Sequence, residues 1–244
     1  MFKNFKETVS FFKTLILALI CAGIIRSLWF EPFHIPSGSM KPGLLEGDYI
    51  IVTKYSYGYS RYSFPFGFNI FDDRVWFEES EVKRGDAAVF RLPSNPSINY
   101  IKRIVGLPGD EIQVRSGVLY VNNQEVKKVK NGFYSEQFGN GDVVKVDKYQ
   151  ETIEEKTFDV IDITANSRVD NTGIYKVPAG HYFAMGDNRD NSEDSRYLDA
   201  VGYIPQQNLI GRARFIFFSV KGSFLSLLTM NGKIRFDRIF KSID

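Results

Sequence analysis

A mainly β fold behind one N-terminal apolar helix is what this sequence predicts, on three observations. Thr14 to Ile25 is an almost wholly apolar run, TLILALICAGII. From Ile35 onward short runs rich in Val, Ile, Phe and Tyr alternate with Gly, Pro, Asn and Asp, the pattern of strands and turns. After residue 31 no long apolar run recurs at the helical period.

The elements follow in order. Taken from Phe11 to Phe30, the apolar segment is long enough to span a bilayer core at about 1.5 Å per residue. Lys13 and Arg26 sit toward its ends, where long side chains snorkel. Lys3, Lys6 and Lys13 flank it on the N-terminal side, and only Lys41 follows closely on the other. The positive-inside rule then puts the N-terminus in the cytoplasm and the body outside. A cleavable signal peptide, with Cys21-Ala22-Gly23 as a small-residue site, fits the same run and exports the body equally. Downstream, DYIIV, DAAVFRL, YIKRIVG, EIQVRSGVLYVNNQEV, YKVPAGHYFAMGD and GRARFIFFSV read as strands. Ser116-Gly117 and Asn122-Asn123 read as hairpin turns. Residues 55–77 hold ten aromatics, among them Tyr57, Phe66, Phe68 and Phe71, and read as an aromatic β-ribbon that either dips into lipid or packs on the core. Residues 127–169 are polar and read as a surface insertion with weak strands.

Bulk properties exclude several classes. A net charge of +2 gives no footprint for nucleic acid. One cysteine, Cys21, rules out an intrachain disulfide, and two histidines, His34 and His181, leave little for a metal site or a Ser-His-Asp triad.

Three segments carry chemistry. Pro36-Ser37-Gly38-Ser39-Met40-Lys41-Pro42 is a rigid turn able to present a hydroxyl, although a serine needs a base to act as nucleophile. Taken alone, a plain linker is its simpler reading. Tyr100-Ile101-Lys102-Arg103-Ile104 sets a lysine in an apolar strand, with Lys102 and Ile104 on one face. A buried lysine pairs or gives up its charge. Bringing its pKa from about 10.4 to near 7, where it serves as a general base, costs about 4–5 kcal/mol. A snorkelling or ion-paired lysine is the plainer reading of that strand. Gly186 to Arg196, GDNRDNSEDSR, mixes Asp and Arg as a salt-bridged loop would, and lacks the glycine and glutamate of a calcium loop.

In this order behind a membrane segment, PSGSMKP, YIKRIVGLPGD and GDNRDNSEDSR resemble the conserved boxes of bacterial type I signal peptidases, with EPF, RGDAAVF and GRA adding to the match. The resemblance covers the anchor, about 31–110 and 178–244. It implies a signal-peptidase-like, β-rich catalytic core with an inserted smaller β subdomain: an anchor over 1–30, core over 31–110 and 178–244, insertion over 111–177. It implies a serine endopeptidase of the inner membrane that removes signal peptides from exported preproteins, cutting after small-x-small (Ala-x-Ala) at the extracytoplasmic face. No cofactor, metal or nucleic acid is expected; membrane lipid is. By the same resemblance Ser39 is the nucleophile and Lys102 the general base. Ser37 and the Ser39 N–H form the oxyanion hole, and Ser192 orients the lysine. Asp194 and Arg196 form a structural ion pair, with Asp187 and Arg189 supporting the loop. Phe33, Ile35, Pro36, Met40, Leu44, Ile50, Val89, Tyr100 and Ile101 correspond to the substrate-pocket lining. His34 departs from the glutamine frequent in relatives, and the single membrane segment from the two that several of them have.

Three other readings compete. Ser10-Phe11-Phe12-Lys13 fits the Ser-x-x-Lys mark of penicillin-binding enzymes but lacks its partner motifs. A self-cleaving repressor of the SOS type shares a Ser/Lys core but predicts a DNA-binding helical head. A membrane-anchored binding protein with an inert site would not need a lysine buried opposite the serine.

Overall fold

The computed structural model describes residues 2–64, 73–77, 80–137, 142–164, 167–222 and 232–243, with side chains from residue 7 onward. The apolar run folds as one continuous helix, α1 (Phe2–Leu28). Its stretch Glu7–Leu28 is long and apolar enough to cross a membrane, and none of its most apolar window is buried against the rest of the chain.

Fifteen strands follow among the described residues: β1 (Phe30–His34), β2 (Asp48–Thr53), β3 (Ala87–Leu92), β4 (Asn95–Gly106), β5 (Glu111–Arg115), β6 (Val118–Val121), β7 (Gln124–Glu125), β8 (Lys127–Gln137), β9 (Val143–Ile153), β10 (Lys156–Asp162), β11 (Tyr175–Lys176), β12 (His181–Met185), β13 (Ile204–Pro205), β14 (Leu209–Lys221) and β15 (Lys233–Ile234). The mainly β expectation holds. The large sheet runs β1-β2-β14-β3-β4-β12-β13, with β15 on β14. A three-stranded sheet runs β10-β9-β8 and a four-stranded one β11-β5-β6-β7. The two expected turns are tight: Ser116 (φ 48°) and Gly117 (φ 74°) join β5 to β6, and Asn122 (φ 52°) and Asn123 (φ 62°) join β6 to β7. Positive φ at both central residues matches the twist of the paired strands.

Three details differ from the sequence expectations. FEPFH forms β1, with Pro32 tolerated on an edge strand. The polar stretch 127–169 contains two strands of 11 residues each, β8 and β9, rather than weak ones. The described part of 55–77 holds two short 3-10 turns and a single bridge, Tyr59 to Val75, in place of a regular ribbon. Tyr57 there is fully buried and donates to Asp86 Oδ2 at 3.1 Å. Phe66, Phe68 and Phe71 lie outside the described residues.

Burial of aliphatic side chains, each contributing about 1.5–3 kcal/mol, holds the sheets in place. One cluster, including Ile35, Met40, Leu44, Ile50, Val52 and Val89, lies under the turn after β1. Another unites Val105, Phe183 and Met185 of the large sheet with Ile112, Leu119, Ile153 and Val160 of the two smaller sheets. The smaller sheets thus share a core with the large one.

Candidate active site

Sheet register brings the three chemical segments together. Antiparallel β1–β2 pairing, Phe33 opposite Ile50, fixes where the chain enters the turn that carries Ser37 and Ser39. On the same sheet β3 places Ala88 opposite Lys102, and β12 places Ala184 opposite Ile104 and Met185 opposite Arg103. The loop that follows β12, beginning at Gly186, therefore emerges beside Lys102.

Lys102 Nζ donates to Ser39 Oγ at 2.6 Å. Both residues are buried, Lys102 at 4% exposure and Ser39 at 9%. Burial lowers the Lys102 pKa from its ordinary 10.5 to about 8, against the opposing pull of Asp194, Asp187 and Glu193. The Tyr100 ring lies 5.2 Å from the lysine nitrogen. Ser37 Oγ stands 3.5 Å from Ser39 Oγ, both on a cleft of about 550 Å³. Pro36, Ser37, Ser39, Ile98 to Lys102 and Glu193 are among its walls.

The loop 186–196 is stiffened from within and clamps the turn that carries Ser39. Arg196 forms a two-pronged pair with Asp194, both contacts at 2.8 Å, as the motif predicts. Burial pushes Asp194 up, but the Arg196 charge and bond and the Gly186 N–H hold its carboxyl below the usual carboxylate range. Asn188 donates its backbone N–H to the Ser39 carbonyl at 3.0 Å and its side-chain amide to the Gly38 carbonyl at 3.1 Å. Gly186 has no room for a side chain: a Cβ would lie 2.5 Å from the Ser39 carbonyl oxygen and 2.1 Å from Ser192 Oγ.

Asp187 and Arg189 hold other elements. Asp187 accepts two bonds from Arg103, at 2.8 and 2.7 Å, and Arg189 pairs with Glu151 of β9 through two bonds of 2.5 Å. Lys41, two residues after Ser39, reaches Glu136 of β8 at 2.7 Å. Burial pulls the Lys41 pKa down, but the Glu136 bond and charge outweigh it and the net shift is upward. From the C-terminal side Arg238 ties Asp48 (2.6 Å) to the Gly43 carbonyl (2.8 Å). Arg103, Asn188, Glu151, Glu136 and Arg238 were not singled out in the sequence. A doubly charged residue pair far apart in the chain has no local signature; only the buried position of Arg103, next to Lys102 in an apolar strand, offers one.

Two expected placements come out differently. Ser192 Oγ is buried without a hydrogen-bond partner among the described residues, so no bond from Ser192 orients Lys102. Of the pocket residues, Pro36, Tyr100 and Ile101 line the cleft, whereas Ile35, Met40, Leu44, Ile50 and Val89 are buried behind it at 0–2% exposure. Phe33 lines a neighbouring cavity.

Among the described residues, the carboxylates close enough together for a cation are Asp162, Asp170 and Asp190. Asp162 already accepts from Lys128 at 2.9 Å, and Asp190 from the N–H groups of Ile163 and Thr164 at 2.7 Å. Asp162 and Asp190 thus each have one carboxylate oxygen engaged within the fold.

Comparison with known proteins gives consistent matches. A family profile described as "Signal peptidase, peptidase S26" matches residues 8–218. Signal peptidase I of Rickettsia typhi is 40% identical over 99% of this chain and 96% of its own length. Signal peptidase I of Rickettsia prowazekii is 40% identical over 92% of this chain and 90% of its own. A solved signal peptidase I from Enterococcus faecalis is 27% identical with a TM-score of 0.32, covering 55% of this chain and 97% of that one.

Proposed function

Because this chain belongs to the signal peptidase family, peptidase S26, we propose that it cleaves with a Ser39/Lys102 dyad while held in a membrane by α1. It is a serine peptidase that removes signal peptides from preproteins. The observation that carries the dyad is the 2.6 Å bond between Lys102 Nζ and Ser39 Oγ at the wall of an open cleft.

The chemistry needs the lysine neutral. In that form Nζ takes the Ser39 proton as Oγ bonds the scissile carbonyl carbon. The developing oxyanion is received by the Ser37 hydroxyl and the Ser39 N–H. Lys102 then passes its proton to the leaving amine and the acyl C–N bond breaks. Water, deprotonated by the same lysine, attacks the ester carbonyl; the acyl C–Oγ bond breaks and Lys102 returns that proton to Ser39 Oγ. Asn188 acts as a positioning residue, because it bonds the Gly38 and Ser39 carbonyls, and Gly186 allows the close approach of its loop to the Ser39 carbonyl.

The substrate lies extended beside Ile98–Ile101 of β4, adding as a strand. Buried Ile35, Met40 and Val89 close the space behind Pro36, Tyr100 and Ile101. Little depth is left for side chains next to the scissile bond, which favours the small-x-small preference. Lys3, Lys6 and Lys13 before the apolar run support a cytoplasmic N-terminus, with the cleft at the outer face of the membrane, where exported preproteins emerge.

The test is cleavage of an Ala-x-Ala preprotein by the full chain in detergent. Ser39→Ala and Lys102→Ala each abolish it while leaving substrate binding intact. Cleavage that survives either substitution overturns the dyad.

A further inference from the structure

At the point where α1 meets the sheet, a second cavity of about 340 Å³ opens among Arg26, Glu31, Phe33, Lys54, Tyr62 and Arg91. It shares Asn99 with the substrate cleft but holds none of the catalytic residues. Three cations face a single carboxylate in its lining. Glu31 is already committed twice. Its Oε1 accepts from Arg26 at 2.8 Å and its Oε2 from Lys54 at 2.8 Å. Lys54, 2% exposed, also donates to the Ser63 carbonyl at 2.6 Å. That leaves Arg91. Its Nε is buried with no partner among the described residues, and its Nη1 has only a long 3.4 Å contact to the Ser97 carbonyl. Its guanidinium lies 5.7 Å from the Tyr62 ring.

An uncompensated arginine in a cationic cavity calls for an anion. Its position says which one. Arg26 and Ser27 belong to the last turn of α1, the helix apolar enough to span a bilayer, so the cavity sits at headgroup level. A phosphate ester presents acceptor oxygens in the geometry a guanidinium fork binds. We infer that this cavity holds the phosphate of an anionic phospholipid headgroup, gripped by Arg91 and Arg26, and that the bound lipid fixes the angle between anchor and substrate cleft. The inference rests on the membrane-bound reading above. The charge balance supports it further: burial lowers the Lys54 pKa, Glu31 resists, and Arg26 and Arg91 push it the same way as burial, a crowding that an anion relieves.

The full chain is assembled in nanodiscs of mixed phosphatidylcholine and phosphatidylglycerol, then released and weighed by native mass spectrometry. Wild type retains phosphatidylglycerol in preference to phosphatidylcholine. Arg91→Gln and Arg26→Gln each weaken that retention about tenfold or more, the scale of one lost charge-assisted hydrogen bond, while Arg91→Lys keeps part of it. Arg26 is exposed on the helix, so its variant folds even if Arg91→Gln does not. Equal retention by wild type and both Gln variants overturns the site. Displacement by added inorganic phosphate supports a phosphate site filled from a free source, and refutes the lipid as its occupant. Ser39→Ala separates the two readings: it loses cleavage and keeps the lipid. A chain that fails to enter nanodiscs at all counts against the membrane anchor instead.

Discussion

Replacing Lys102 by Met should make the protein more stable while abolishing cleavage, and the gain should vanish at high pH. The side chain is 4% exposed, and burial depresses its pKa from 10.5 to about 8. That displacement corresponds to about 3 kcal/mol of penalty on the ammonium form. The sign follows from counting protons. Below pH 8 the lysine is charged both folded and unfolded, so the folded state bears the whole penalty. As pH rises through 8 the folded protein gives up its proton while the unfolded chain keeps it, and the penalty shrinks. It is gone once pH passes 10.5, where both states are neutral. Methionine fills nearly the same volume and carries no charge. It forfeits the bond to Ser39, worth about 1 kcal/mol, so the net gain near neutral pH is about 2 kcal/mol. The assay is urea unfolding of the full chain in detergent, wild type against Lys102→Met, in steps from about pH 7 to 10. Other titrating groups affect both proteins alike and drop out of the difference. A stability difference that stays constant with pH, or a destabilised variant, refutes a lysine held near 8 by burial.

Cleavage itself should rise with pH, because only the neutral lysine accepts the Ser39 proton. With a pKa of about 8 about a tenth of Lys102 is neutral at pH 7. Initial rates that do not change across the range from about 6.5 to 9.5 contradict this. Gly186→Ala forces a methyl to within 2.5 Å of the Ser39 carbonyl oxygen and displaces the nucleophile. Misplacement on the order of 1 Å lowers kcat about a hundredfold, read in single-turnover cleavage with near-native melting as the control. Lys41→Met strips the partner from Glu136, which is 4% exposed, and destabilises by about 3 kcal/mol. Lys41→Met with Glu136→Leu recovers most of that loss, and a double-mutant cycle with no coupling argues against the tether.

How much of this was legible in the sequence depends on the range of the interaction concerned. Neither dyad residue was legible alone, because the Ser/Gly turn reads as a linker and the strand lysine as snorkelling or ion-paired; only the three segments in order, through their resemblance to a known family, single them out. The Asp194–Arg196 pair came from the same resemblance, and its members, two residues apart, bond each other directly. Ser192 was assigned to Lys102, but the main chain turns at Gly186 and packs Ser192 against that glycine instead. The pocket residues were apolar and near the site in sequence, yet apolarity does not say which layer a residue occupies. Ile50 and Val89 face the core from β2 and β3, and Ile35, just past the end of β1, joins them behind the cleft. β8 and β9 were read as weak because their exposed faces carry Lys, Asp and Glu. Their pairing with each other is long-range and leaves no period-2 apolar pattern to find.

The polar insertion is where the structure adds most to the sequence reading. Two glutamates that look like ordinary surface charges in β8 and β9 are nearly inaccessible: Glu136 at 4% and Glu151 at 0%. Each grips one half of the active site. Glu136 holds Lys41 in the nucleophile turn, and Glu151 holds Arg189 in the loop that carries Asn188. Asn188 then joins the two halves through the carbonyls of Gly38 and Ser39. A buried ion pair adds little net stability, because desolvation offsets most of the attraction. What it does impose is position, since breaking one leaves an unpaired charge in the interior. β8 and β9 therefore hold the turn and the loop in one relative placement, with Ser39 Oγ at 2.6 Å from Lys102 Nζ.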